Sequence, residues 1–154
     1  MTHLKEGDIA PDFKGLNELG EEVKLADFRG KKLVLFFYPK DNTPGCTMEA
    51  CSLRDNFDVL REHGFEMLGV SADSQRKHQN FINKFSFQFQ LLSDTEKEVC
   101  KAYGVWGDKS MFGKLFQGIK RTTFIIDEEG KIDKIFAKVR TMNHAQQILD
   151  AYAA

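Results

Sequence analysis

The apolar run Leu33-Val-Leu-Phe-Phe-Tyr38 leads directly into Pro39-Lys-Asp-Asn-Thr43-Pro44-Gly45-Cys46-Thr-Met-Glu49-Ala-Cys51. This junction constrains the fold more than any other stretch. An apolar run without polar alternation is the pattern of a central strand covered on both faces. Pro39 fixes the exit of that strand, because proline cannot donate to a ladder. Thr43-Pro44 then has the grammar of a helix start, with a hydroxyl residue at the N-cap and Pro at the first helical position. The junction therefore reads as a buried strand, a tight turn and a helix whose first turn carries a thiol.

The helical pattern continues beyond the junction. Cys46, Ala50, Leu53, Phe57 and Leu60 recur at alternating spacings of four and three, which predicts a helix over 44–62. Further helices are predicted at 74–85, at 94–103 (opening at Asp94-Thr95 and stopping before Gly104), and at 143–152 behind the N-cap residue Asn143. Strands are predicted at 33–38, 66–70, 122–126 and 132–139, with a short extended piece at 89–92. Asp127-Glu-Glu-Gly130 reads as the turn of a hairpin. Strands alternating with helices and ending in a hairpin argue for an α/β fold, a mixed sheet flanked by helices in one domain over 1–154. Residues 104–120, with Gly104, Gly107, Gly113 and Gly118, read as one long loop.

Charge and length exclude several functions. A formal net charge of −1 offers no basic field for nucleic acid and no polybasic patch for a membrane. No apolar run reaches the length that spans a bilayer. The first ten residues lack an apolar secretory segment, so a reducing cytoplasm is expected, where three cysteines serve as reactive or buried thiols. Most of the 14 Phe residues, and Trp106, are expected in the core, although some of them could line a channel for larger substrates.

A helix N-terminus carries unpaired N–H donors and a partial positive charge, which favours the anionic, nucleophilic form of a sulfur placed there. Cys46 falls at that end of the apolar stripe. Cys51 lies about 140° away around the helix, beside Arg54, Asp55 and Asp58. The same geometry sets the two α-carbons ~8.6 Å apart, whereas a disulfide needs them closer than about 7 Å. Should the two bond, the first helical turns must unwind. Cys100, near Val99 and Tyr103 with no helix start beside it, reads as a core residue. His3, His63, His78 and His144 are scattered without ligand spacing, so no metal is expected.

With these residues in view, Pro39-x-x-x-Thr43-x-x-Cys46 resembles the active-site signature of the peroxiredoxins. Thr43-Pro-Gly-Cys-Thr-x-Glu-Ala-Cys51 is similar to the bacterioferritin comigratory protein (Q-type) subgroup. Weaker matches follow in order: Gly7-Asp-Ile-Ala-Pro11-Asp-Phe13, Val70-Ser71-Ala-Asp73, Leu91-Leu-Ser-Asp94, Tyr103-Gly-Val-Trp106 and Gly118-Ile-Lys-Arg121-Thr-Thr-Phe124-Ile-Ile-Asp127.

The resemblance implies a thioredoxin-like fold and a cofactor-free peroxidase acting on hydrogen peroxide and organic hydroperoxides. Cys46 would be the peroxidatic nucleophile and Cys51 the resolving thiol, joined in an intramolecular Cys46–Cys51 disulfide that thioredoxin or a similar dithiol recycles. Thr43, the N–H groups of Gly45 and Cys46, and Arg121 would bind the peroxide, and Pro39 would shield the sulfur. Glu49 either orients Arg121 or is simply a favourable acid in the first turn of the helix. An internal resolving thiol removes any need for a partner subunit, so a monomer is expected. Two other readings stay open here. One is a dithiol oxidoreductase, disfavoured because C-x₄-C is not C-x-x-C; the other is a redox-sensing or chaperone-like module.

Overall fold

The computed structural model describes residues 2–153. In chain order the strands are β1 (Lys14–Asn17), β2 (Glu22–Lys24), β3 (Lys32–Phe37), β4 (Phe65–Ser71), β5 (Gln90–Ser93), β6 (Trp106–Met111), β7 (Lys114–Ile119), β8 (Thr122–Ile126) and β9 (Ile132–Phe136). The helices are α1 (Pro44–Asp55), α2 (Phe57–Glu62), α3 (Gln75–Phe85), α4 (Glu98–Ala102) and α5 (His144–Ala151). Seven strands form one mixed sheet in the order β2-β1-β5-β4-β3-β8-β9. Its centre, β3-β4-β5, is parallel, and β8 pairs antiparallel on the other side of β3. None of the helices is long and apolar enough to cross a membrane among the described residues.

The apolar run behaves as its lack of alternation requires. Leu33, Leu35 and Phe37 join a buried cluster with Phe13, Val99, Tyr103 and Phe124 on one face of the sheet. Val34, Phe36 and Tyr38 join a second cluster on the other face, with Cys46, Ala50 and Leu53 of α1, Phe81 of α3 and Ile148 of α5. A period-2 strand with two covered faces must be apolar throughout, and β3 is. Cys46 thus sits where α1 begins on the second face, immediately past the end of β3.

Four elements differ from the sequence reading. Residues 104–120 are not one loop: β6 and β7 pair antiparallel over their whole length as a separate two-stranded ribbon. Phe112 and Gly113 turn it, with φ of 53° and 76°, the two positive values a tight hairpin turn prefers. Trp106 and Ile119 meet the core at the base of the ribbon, but Met111, Phe112, Leu115 and Phe116 are exposed, so no burial alternation runs along it. The helix over 44–62 is broken at Asn56, whose side chain donates to the Ser52 carbonyl (2.9 Å) and so occupies an acceptor at the end of α1. The helix at 94–103 starts only at Glu98. Asp94 lies before it and accepts from the N–H groups of Val99 (3.2 Å) and Cys100 (2.8 Å). The edge pair β1–β2, short and mostly polar, had no sequence signal.

Gly69 of β4 lies between Phe36 and Leu91 in the sheet register. A Cβ there would stand 2.6 Å from Leu91 Cδ2 and 2.7 Å from Phe36 Cζ, inside van der Waals contact with two buried side chains. Gly69→Ala is therefore expected to cost about 1–3 kcal/mol by overpacking, lowering the thermal midpoint by several degrees in a denaturation experiment.

Candidate active site

A buried polar lock holds the turn between β3 and α1. Tyr38 Oη donates to Asp41 Oδ1 (2.5 Å), and the Asp41 N–H donates to Asp73 Oδ2 (2.8 Å), which also accepts from Ser71 Oγ (2.6 Å). His78 of α3 pairs with Asp41 Oδ2 through Nδ1 (2.6 Å) and faces the Leu92 carbonyl through Nε2 (3.0 Å). Tyr38, Asp41, Ser71, Asp73 and His78 are all buried. Oxygen and nitrogen atoms of Asp41, Asp73 and His78 lie within 4.8 Å of one another. Both Asp41 oxygens, Asp73 Oδ2 and both His78 nitrogens are engaged by these neighbours, the arrangement of an internal fastening for the turn.

Beyond the turn, Thr43 is the N-cap of α1, but its hydroxyl does not cap the helix; it donates to the Lys40 carbonyl (2.8 Å). The first helical bond runs from Thr47 N to the Thr43 carbonyl (2.8 Å). The N–H groups of Gly45 and Cys46 precede it and lie outside the helix's own ladder. Cys46 is the third residue of α1 and is 2% exposed. Arg121 immediately precedes β8, and the pairing of Phe37 with Thr122 places it beside the end of β3, where the chain turns toward Cys46.

The Arg121 guanidinium forks between two side chains of α1. Nη2 donates to Cys46 Sγ (3.3 Å) and Nη1 to Glu49 Oε1 (2.7 Å). Burial alone would lower the affinity of Arg121 for its proton, but the negative partners Glu49 and Cys46 outweigh it and the pKa rises. Glu49 is fully buried, and burial pushes its carboxyl up to about 7 against the opposing pull of Arg121. Glu49 lies beyond the first turn of α1, so the reading of it as a first-turn dipole partner is set aside in favour of the ion pair with Arg121. Gly45 packs under the fork: a Cβ there would stand 3.1 Å from Arg121 Nη2.

The other thiols differ in setting. Cys51 is half-buried on the flank of α1, and burial raises its pKa while Arg54 opposes. Cys100 is fully buried in the opposite core, its thiol pushed up by burial and then by the Asp94 charge, as befits a packing residue. All three cysteines are unpaired. Pro39 is half-buried at the entry to the turn, and Trp106 packs against the core with Lys97 Nζ 5.5 Å from its ring.

Two contributors escaped sequence reasoning. Lys109 sits on β6, in the stretch read as a loop; its Nζ donates to the Ile119 carbonyl (2.9 Å). Burial and then the Arg121 charge lower its pKa, while Cys46 opposes them. His144 of α5, fully buried, has its Nε2 3.8 Å from Glu49 Oε2. Neither position carries a spacing motif that could have disclosed it. A groove of about 1040 Å³ between α3 and strands β1 and β5 holds none of these residues. Its lining holds neither cysteine nor histidine, whereas the Cys46 cluster brings together a thiol, a guanidinium and a buried carboxyl.

Over residues 7–135 the sequence matches the AhpC/TSA family. It is 47% identical over 150 residues to peroxiredoxin Bcp of Escherichia coli strain K12, covering 97% of this chain and 96% of that protein. A mutant of Xylella fastidiosa PrxQ has a solved structure that superposes with a TM-score of 0.91 at 32% identity, over 98% of this chain and 96% of that one. The bacterioferritin comigratory protein of Xanthomonas campestris, whose structure addresses its alkyl peroxide reduction activity, gives 0.86 at 35% identity, over 98% and 96%.

Lysine in place of Arg121 keeps a charge but not the fork, so it cannot hold Cys46 and Glu49 together. A charged hydrogen bond contributes about 1.5–3 kcal/mol. Arg121→Lys is therefore expected to slow alkylation of Cys46 by iodoacetamide at neutral pH by about ten- to a hundredfold, measured with Cys51 and Cys100 replaced by Ser.

Proposed function

The chain belongs to the AhpC/TSA family and is a thiol peroxidase of the peroxiredoxin Bcp/PrxQ type, and on that premise we propose that Cys46 is its peroxidatic nucleophile and Cys51 its resolving thiol. The observation that carries this reading is the contact of Arg121 Nη2 with Cys46 Sγ at the positive end of α1. A guanidinium and a helix N-terminus both stabilise a thiolate, and both remain to stabilise charge on the peroxide oxygens as the O–O bond breaks.

The thiolate attacks the terminal oxygen of a hydroperoxide. An S–O bond forms, the O–O bond breaks, and the departing oxygen takes a proton to leave as water or an alcohol. Sulfur is oxidised by two electrons to sulfenic acid, and the peroxide is reduced by two. The N–H groups of Gly45 and Cys46 and the Arg121 guanidinium supply the donors around the oxygens; Thr43 Oγ1, its hydrogen given to the Lys40 carbonyl, accepts from the hydroperoxide O–H, and Pro39 limits water at the sulfur. The Cys51 thiol then attacks the sulfenic sulfur, water leaves, and a Cys46–Cys51 disulfide results. Thioredoxin or a similar dithiol carrier restores both thiols by exchange.

The two cysteines lie on one continuous helix, α1. On helical geometry their α-carbons stand ~8.6 Å apart, beyond the reach of a disulfide. Resolution therefore requires the first turns of α1 to unwind, a local opening that lets Cys46 leave the core. The named activity of the Xanthomonas relative supports organic hydroperoxides, alongside hydrogen peroxide, as substrates. Since one chain carries both thiols, a monomer in a reducing compartment such as the cytoplasm suffices for the whole cycle.

One equivalent of peroxide is expected to lower the free-thiol count from three to one, that is, three less the two that join, with a loss of helical far-ultraviolet signal. Cys51→Ser should react once and stop at the sulfenic acid, seen as a mass increase of one oxygen. Cys46→Ser should show no turnover with a thioredoxin system; turnover surviving in that variant overturns the assignment of the nucleophile.

A further inference from the structure

Behind the fork, Glu49 Oε1 is taken by Arg121, but Glu49 Oε2 is buried with no hydrogen-bond partner. The polar side chain that faces it is His144, whose Nε2 is 3.8 Å away, too far for a hydrogen bond as the structure stands. The tautomer of His144 follows from its surroundings. Gln147 Oε1 accepts from the Arg140 N–H (3.0 Å), and Gln147 Nε2 donates to the Lys138 carbonyl (2.9 Å), so two backbone groups fix which way this amide points. His144 Nδ1 is 2.9 Å from that same Oε1 and must carry the hydrogen. Nε2 then carries the ring's one acceptor lone pair, which receives the Thr123 hydroxyl (2.9 Å) while it stands 3.8 Å from the unpartnered oxygen of Glu49.

We propose that Glu49 and His144 form a proton-holding pair behind Arg121, in which Glu49 Oε2 takes up a proton as Cys46 ionises and His144 Nε2 accepts that O–H in exchange for the Thr123 hydroxyl. In one state Arg121 is paired with ionised Glu49 beside a thiol. In the other it is paired with the Cys46 thiolate beside a carboxylic acid. One proton leaves Sγ and one arrives at Oε2 through solvent at the partly exposed guanidinium, so the summed charge of the buried trio is the same in both states. A low-dielectric site tolerates such an exchange far better than the gain of a second buried anion. His144 acts through Glu49, and is a positioning residue for the ion pair on Cys46.

The titratable groups that face the pair agree with this. Arg121 faces Glu49 from the start of β8, and Cys46 shares that guanidinium from α1. Burial holds the carboxyl of Glu49 up to about 7 and drives His144 down to about 4, the latter helped by Arg121 and opposed by Gln147. In water a carboxyl and an imidazole sharing one proton place it on the imidazole; here burial favours the carboxyl. For stability the two shifts have opposite signs. The raised Glu49 contributes stability below its unfolded value that is lost as pH rises toward 7. The lowered His144 contributes stability above its unfolded value that is lost as pH falls toward 4. Their slopes oppose each other in the interval between.

The proposal rests on Cys46 as the nucleophile, and its test needs no peroxide. With Cys51 and Cys100 replaced by Ser, the infrared difference between free and iodoacetamide-alkylated protein at pH 7 is expected to show loss of a protonated-carboxyl stretch on alkylation, and none in Glu49→Gln. His144→Asn removes Nε2; it is expected to weaken that band and slow alkylation by about tenfold, with no further slowing when added to Glu49→Gln. If the unmutated site shows no carboxyl band, or if His144→Asn slows alkylation equally with and without Glu49, the pair is only packing and the proposal fails. Peroxidase turnover stands or falls separately, on the replacement of Cys46.

Discussion

The bond from Arg121 to Cys46 joins residues 75 positions apart, and the arrangement around it depends on that reach. The register of β3 against β8 brings the guanidinium to the strand end. The Asp41–His78 lock fixes the turn that delivers the sulfur to it. A glycine at 45 leaves room beneath it. Since Glu49 and Cys46 are both buried, removing the one cation between them would leave uncompensated charge in the core, the costly way to break a buried pair. The fork therefore serves cohesion and reactivity together.

How much of this could be read beforehand varies with the physics of each element. The run 33–38 disclosed β3 because a strand covered on both faces can only be apolar. Thr43-Pro44 disclosed the start of α1, although the Thr43 hydroxyl turned out to serve the Lys40 carbonyl instead of the helix. The break at Asn56 was hidden because the apolar stripe runs on through it, while the interruption comes from a side chain competing for a backbone carbonyl. The ribbon β6–β7 was read as a loop because its side chains are largely exposed and follow no burial pattern. Its turn, Phe112-Gly113, was the only local clue.

The same division holds at the site. Cys46, Cys51 and Thr43 lie within nine consecutive residues, where spacing is visible on the page. Arg121 had no local signature and entered through the likeness to a family. His144, Lys109 and the Asp41–His78 pair had neither, because tertiary packing alone brings them together. Long-range charge and burial leave little trace in residue order.

The interruption at Asn56 carries a mechanical consequence. Helices melt cooperatively along their length, since each turn leans on the next. Asn56 ends one such cooperative segment and opens another, with Leu60 N bonded to its carbonyl and Leu60 buried in the core beyond. Any loosening that begins at Pro44 meets a natural stop there. In the proposed cycle, an opening of the first turns of α1 would therefore end at Asn56 and leave α2 and the sheet behind it in place.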